Sequence, residues 1–371
     1  MKILKIHLIF LILLNSVNLY SQERKEIGIP DIPGYLTLKC DFHMHTVFSD
    51  GNVWPTIRVQ EAWEEGLDAI AITDHIEYRP HSQDIPSDHN RSYEIAKPLS
   101  EQLGIILIRG GEITRKMPPG HLNAIFVKNV NLLERESWFE ACQEAKEQGA
   151  FIFWNHPGWK SQQPDHTLWW NEHTRLLDAG MLNGIEVVNQ NDYYPEAFRW
   201  AKEKELTIMA NSDLHDPSGT TFNLEKSHRP ITLVFAKERS AQSIKEALQN
   251  RRTAAYYNDK IYGDRFFLAP IFSASIEILS EVPNLGNMQV KYVRLHNHSD
   301  IDFKLKQRSP SIGFSATKSL ILPAHRTAII EITGTSEEVK NASTLKLFYE
   351  VENLVVGPGE SLPVVIEVQN N

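Results

Sequence analysis

The sequence predicts an α/β barrel followed by a smaller all-β domain, and three observations carry that expectation. Apolar runs alternate with segments of helical period from about residue 36 to residue 260, the pattern of βα units in a parallel sheet. About seven such units fit within about 220 residues, close to what a closed or nearly closed barrel requires. Beyond about residue 265 the helical period gives way to short alternating runs separated by Pro, Gly and Asn, the pattern of an Ig-like β-sandwich over residues 266–371.

The first residues lie outside this pattern. Lys2 and Lys5 precede the apolar run Leu8 to Leu14, Asn15 and Ser16 break it, and Ser21-Gln22 offers a small residue for processing. A basic start, a short apolar core and a processing point predict a secretory signal peptide over residues 1–21, hence a secreted or periplasmic protein. The run is too short to span a bilayer comfortably, so no membrane span is expected after processing. Residues 23–35 are a polar, Pro-containing lead-in.

The barrel elements follow in order. Leu36 to Cys40 alternates like a strand and runs into Asp41-Phe42-His43-Met44-His45, with Ser49-Asp50-Gly51 just beyond. Thr56 to Gly66 reads as a helix, and Leu67 to Thr73 as a buried strand ending in Asp74-His75. The polar loop Ile76 to Asn90 has the length of a functional loop. Ser92 to Leu103 is helical up to Gly104, and Ile105 to Ile108 is a strand leading into Gly110-Gly111-Glu112. His121 opens the run Leu122 to Val127. Ser137 and Glu140 have capping-box spacing for a helix reaching Gln148. The strand Ala150 to Trp154 ends in Asn155-His156-Pro157. A helix over Thr167 to Ala179, a strand over Gly184 to Val188 and a helix over Pro195 to Glu205 come next. The strand Leu206 to Ala210 ends in Asn211-Ser212-Asp213-Leu214-His215, followed by the strand Ile231 to Phe235 and the helix Ser240 to Arg251. In the β domain, strands are expected at 272–279, 290–295, 303–306, 328–332, 345–351 and 364–368.

Composition bounds the chemistry. A chain of 371 residues with 42% hydrophobic and 23% charged residues can bury a large core in two or three domains. A formal net charge of -9 argues against a nucleic-acid partner held by a broadly basic surface. It leaves room for a small anionic substrate, because a metal site brings its own positive charge. Cys40 and Cys142 fall on a core strand and a helix face and read as two buried free thiols. They lack zinc-thiolate spacing.

Nearly every candidate for chemistry lies where an apolar run stops. Residues i and i+2 of a strand share a face, so His43 and His45 project together. With them come Asp50, His75, Glu112, His121, His156, Asp213 and His215. Six imidazoles and three carboxylates exceed one tetrahedral ion and suit two or three; without thiolates, zinc, manganese or iron is indicated. Strand carboxyl ends are also where barrel chemistry sits. The later pair His296 and His298 has no such companions and reads as surface.

The ordered pieces His-x-His, Ser-Asp-Gly, Thr-Asp-His, Gly-Glu, an isolated His, Asn-His-Pro and Ser-Asp-x-His resemble the PHP superfamily, named for polymerase and histidinol phosphatase. The resemblance covers about residues 36–258. It implies a distorted (β/α)7 barrel and a trinuclear metal site. By position, His43, His45, Glu112 and Asp213 would bind one ion; Glu112 would bridge to a second held by His121 and His156; Asp50, His75 and His215 would bind a third. Asp74 would orient an imidazole, and Asp41 would do the same or be structural.

The implied activity is metal-dependent phosphoester hydrolysis, of a small monoester ahead of a diester, with Glu112, Asp213 and Arg115 as catalytic residues. Arg79, Arg115 and Lys160 follow ligand motifs and are candidates to meet phosphate. Trp159, Trp169 and Trp170 are candidates for a pocket wall or for packing. A metallohydrolase of amidohydrolase type is the alternative, although Lys128 and Lys237 sit in no ligand motif. A non-catalytic envelope-binding protein is another, although no ligand position is missing.

Overall fold

The computed structural model describes residues 23–86, 88–279 and 284–370. The expected signal peptide, residues 1–21, lies outside them. Around the barrel run β1 (Leu36–Asp41), β2 (Ala69–Ile72), β3 (Ile106–Ile113), β4 (Leu122–Ile125), β5 (Phe151–Trp154) and β6 (Gly184–Asn189). A short β7 (Asp192–Tyr193) folds back on β6, and β8 (Thr207–Asn211), β9 (Ile231–Ala236), β10 (Thr253–Tyr257) and β11 (Lys260–Gly263) follow. The intervening helices are α1 (Pro55–Glu64), α2 (Arg91–Leu103), α3 (Trp138–Glu147), α4 (Asn171–Asp178), α5 (Pro195–Glu203), the short α6 (Ser218–Thr221) and α7 (Ala241–Gln249). Their starts follow the sequence: Pro55 and Pro195 occupy first-turn positions, and the Ser137 side chain accepts from the Glu140 amide. Gly104 ends α2 in the left-handed conformation.

Pairing is parallel through β1, β2 and β3, and again through β5, β6 and β8. Four strands, β4, β7, β9 and β11, run against the others. β4 runs antiparallel between β3 and β5, because the 114–121 connection is too short for the crossover that a parallel neighbour needs. β9 is antiparallel to β1. From β9 back to β8, the Ala210 amide donates to Thr232 Oγ1 at 2.9 Å and the hydroxyl donates to the Ala210 carbonyl at 2.8 Å. β3 is longer than expected and passes straight through Gly110-Gly111. A Cβ on Gly111 would lie 2.7 Å from Val130 Cγ1, so the second glycine lets this strand carry Glu112 inward.

The second domain holds β12 (Ile276–Ile278), β13 (Val290–Asn297), β14 (Phe303–Gln307), β15 (Phe314–Ala316), β16 (Ser319–Leu322), β17 (Thr327–Gly334), β18 (Thr344–Gly357) and β19 (Glu360–Gln369). Its entrance differs from the sequence expectation. Residues 265–275 form helix α8 (Arg265–Ser275), capped by the Asp264 side chain, where a strand was expected from 272. Arg-Phe-Phe-Leu-Ala-Pro-Ile-Phe is apolar on nearly every side, so it carries no helical period, and it packs between the two domains. The domains share one sheet: β18 pairs in parallel with β11, Ile261 opposite Leu354 and Tyr262 opposite Val355. They also share a core in which Phe267 and Phe272 meet residues of both. The lead-in straps them together. The Gly28 amide donates to Asp300 at 2.6 Å, and the Lys25 amide to the Glu64 carbonyl at 2.9 Å.

Cys40 and Cys142 are free and buried. Among the described residues no helix is long and apolar enough to cross a membrane. His296 and His298 lie on the second domain, bound to Thr327 and Glu277 at 3.0 Å each.

Candidate metal centre

The strand ends bring all nine sequence-derived candidates to one locus. The chain leaving β1 lies beside the chain leaving β8: the Asp213 amide donates to the His43 carbonyl and the His45 amide to the Leu214 carbonyl, both at 2.8 Å. His75, beyond β2, bridges to Glu112 on β3. His121 and His156 approach from β4 and β5, and Asp50 from the turn after His45.

Glu112 is the hub. Its Oε2 lies 2.9 Å from His75 Nδ1, 3.3 Å from His45 Nε2 and 3.4 Å from His43 Nε2. Its Oε1 lies 2.7 Å from His121 Nδ1 and 3.9 Å from His156 Nε2. Asp213 Oδ1 stands 3.2 Å and 3.1 Å from the Nε2 atoms of His43 and His45. Asp50 Oδ1 stands 3.2 Å from His215 Nε2 and 3.4 Å from His75 Nε2. The ligand atoms fall into overlapping sets, each within 4.8 Å: His45, Asp50, His75 and His215; His43, His45 and Glu112; His43, His156 and Asp213; His75, Glu112 and His121.

These residues fit a metal. His43 Nε2, Asp50 Oδ1, Glu112 Oε2 and His121 Nδ1 are buried, and no hydrogen bond satisfies them. Buried polar atoms are nearly always paired, so lone pairs aimed at a shared space call for a cation. Imidazole and carboxylate donors without thiolate suit zinc, manganese or iron. Burial drives His45 down to about 3, leaving the neutral imidazole that ligates metals. Burial opposes charge on Glu112 as well, but His75, His121 and His43 hold its carboxyl well below the usual range. His156 and Asp213 adopt left-handed backbone, φ 29 and 51, a strain typical of functional positions.

Several residues that build the centre were not singled out in the sequence. Glu186, fully buried on β6, accepts from His43 Nδ1 at 2.9 Å, the Asn211 amide group at 2.9 Å and the His156 backbone amide at 2.7 Å. It fixes the His43 tautomer with Nε2 toward the cluster. Its signal was present: it is the one charge in the apolar run Gly184–Asn189. Arg58, fully buried on α1, donates to the carbonyls of His45 at 2.8 Å, Leu214 at 3.0 Å and His215 at 2.8 Å. It clamps two ligand loops together. Asn155 donates to Glu112 Oε1 at 3.0 Å.

Other expectations need correction. Arg115 is not at the cavity. Its guanidinium binds Glu77 at 2.7 Å and the Arg135 carbonyl at 2.6 Å, because Glu77 offers a nearer carboxylate on the same rim. Asp74 does not orient an imidazole; it accepts from Thr46 and Ser49 and braces the loop after His45. His75 Nδ1 instead pairs with Thr114 Oγ1 at 2.6 Å. Asp41 is structural, joined to Ser212 and to buried Arg229. Lys160 lines an adjoining cleft rather than the cavity, and neither Lys128 nor Lys237 lines the cavity.

The cluster opens into a cavity of about 260 Å³ lined by Tyr78, Thr114, Trp159, Asn189, Gln190, Asp192 and Tyr194. Trp159 walls it, its ring centroid 5.2 Å from that of His156. Trp169 packs on Trp154 and Trp200, and Trp170 donates to Gln163, both away from the cavity. Behind this wall, buried His173 stacks on Trp154 at 3.6 Å and pairs with the Pro119 carbonyl at 2.7 Å. Burial pushes His173 down to about 4. The unfolded chain takes up its proton near 6.5, the folded chain only near 4. Its stabilising contribution is therefore intact above pH 6.5 and lost as pH falls through that window, by up to about 3 kcal/mol. Urea titrations of wild type and His173→Phe should show the variant less stable at pH 7 but losing less between pH 6.5 and 4.

Residues 41–212 match the PHP domain family, and residues 276–367 match an Ig-like domain family. A two-domain protein of Bacteroides vulgatus, containing a predicted PHP-like metal-dependent phosphoesterase, has a crystal structure that superposes with a TM-score of 0.89. It is 47% identical, with 94% of this chain and 100% of that chain covered. An uncharacterized protein of Methanocaldococcus jannaschii is 28% identical over 191 residues, 48% of this chain and 83% of that one. The chain belongs to the PHP-like metal-dependent phosphoesterases, in the form that carries an Ig-like domain after the barrel.

Proposed function

We propose that this protein hydrolyses a small phosphomonoester at a site holding two or three divalent ions, zinc, manganese or iron. The observation that carries the proposal is the convergence of six imidazoles and three carboxylates around buried lone pairs that no hydrogen bond satisfies. Divalent ions bound there would supply an acidified water as nucleophile and positive charge for the phosphoryl oxygens.

The chain's own residues set the geometry. Glu112 presents its two oxygens to different imidazoles, the placement of a bridging carboxylate. Asp213 closes the inner set with His43 and His45, and Asp50, His75 and His215 form the set nearer the mouth. Glu186 and Arg58 hold His43 and the ligand loops in place. Among the described residues no Arg or Lys lines the cavity, so the substrate's phosphate charge falls to the ions. The small cavity walled by Trp159 favours a monoester over a diester. The formal net charge of -9 speaks against a stable nucleic-acid partner. Export through residues 1–21 is part of the proposal, since Lys2, Lys5 and the apolar run have the make-up of a signal peptide.

Metal analysis of the purified protein, with hydrolysis measured on matched phosphomonoesters and diesters, tests the reading. The expected result is at least two ions per chain and faster monoester turnover. A protein that binds no divalent ion, or that loads fully and cleaves neither class, overturns it.

A further inference from the structure

The two-residue hairpin between β6 and β7 reaches over the rim of the cluster. Asn189 donates to Glu186 at 2.8 Å, and Gln190, with φ 49, points its amide at Asp213 Oδ2 at 3.4 Å. The hairpin is thus tied to the centre at two points, and it ends in Asp192. Asp192 is exposed, no ion pair or side-chain hydrogen bond engages its carboxylate among the described residues, and it lines the cavity. The walls beside it are aromatic. Trp159 and Tyr78 are exposed at the mouth, 41% and 54%, and Tyr194 is buried. Tyr194 is fixed by contact with Gly158, where an added Cβ would come within 2.5 Å of its ring. Asp192 and Tyr194 also line the adjoining cleft, where Lys160 and Arg199 are matched by Asp165 and Glu196.

From this arrangement we infer that Asp192 is a specificity residue: it selects a phosphate ester whose leaving group is planar or apolar and is neutral or cationic, and it rejects one with a second anionic group close to the ester. The inference rests on the proposed phosphoesterase reading. The physical basis is charge complementarity. A carboxylate on the cavity side of the mouth, where among the described residues no Arg or Lys lines the wall, repels an anionic leaving group and attracts an ammonium, while Lys160 and Arg199 face the adjoining cleft together with the carboxylates of Asp165 and Glu196. The aromatic faces add contact area and cation–π attraction for the same class.

The test uses three para-substituted phenyl phosphates of similar leaving-group acidity, carrying aminoethyl, ethyl or carboxyethyl groups, and the three matching non-hydrolysable phosphonates. The metal-loaded full chain is assayed as wild type, Asp192→Asn and Asp192→Glu. The expected kcat/KM order is aminoethyl, ethyl, carboxyethyl, spanning about tenfold or more. Asp192→Asn should shrink the aminoethyl to carboxyethyl ratio to about threefold or less, and Asp192→Glu should restore it. Calorimetric affinities for the phosphonates should follow the same order and lose it in Asp192→Asn. Equal affinities across the wild-type series, or a ratio that Asp192→Asn leaves intact, overturns the inference. If the phosphonates discriminate but none of the phosphates is cleaved, the charge selection stands and the phosphomonoesterase proposal falls.

Discussion

Glu112→Gln is expected to abolish hydrolysis and to remove more than one metal ion per chain. The substitution keeps the shape of the side chain and deletes the charge that five imidazoles face. It also places an amide donor at one of the two positions where a lone pair is required and leaves an uncharged carbonyl at the other, so a carboxylate bridge is no longer available. Elemental analysis alongside an activity assay reads the two effects independently, and circular dichroism checks the fold. A variant with wild-type metal content would exclude a bridging role for this residue.

Arg229→Met should lower stability by about 3–5 kcal/mol. Arg229 is fully buried and pairs with Glu65 at 2.5 Å and with Asp41 at 3.2 Å. Those carboxylates raise its already high pKa further in spite of burial. Methionine fills much of the volume but leaves both acids without a cation. Asp41 in turn holds Ser212, next to Asp213, so metal affinity should fall with stability. Denaturant unfolding of the metal-free variant gives the first effect and titration with zinc the second. A loss below 1 kcal/mol would mean that water or a second cation compensates.

The cluster of candidate ligands was legible because strand ends are marked twice, by the stop of an apolar run and by an ionisable residue at the stop. His43, Glu112 and Asp213 all carry both marks. Arg58 carried neither. It lies inside a helix, where a long cation usually reaches solvent, and the carbonyls of loops distant in sequence, together with Glu61 on the same helix, draw it inward. Arg115 misled for the complementary reason. Proximity to Glu112 in sequence placed it near the phosphate, but Arg115 lies three residues on, past the end of β3, and Glu77 captured it. The helix at 265–275 was hidden because a segment buried on several sides has no periodicity to read.

The single sheet through β11 and β18 has a consequence for the order in which the chain is made. A ribosome releases Tyr262 about ninety residues before Val355, its partner in the ladder. At ordinary elongation rates that interval lasts roughly 5–20 seconds. Throughout it the last strand of the barrel presents open amides and carbonyls, the kind of edge that recruits foreign strands. The C-terminal domain therefore covers an outer edge of the barrel's sheet, and a chain that stops before Val355 would leave that edge open to pairing.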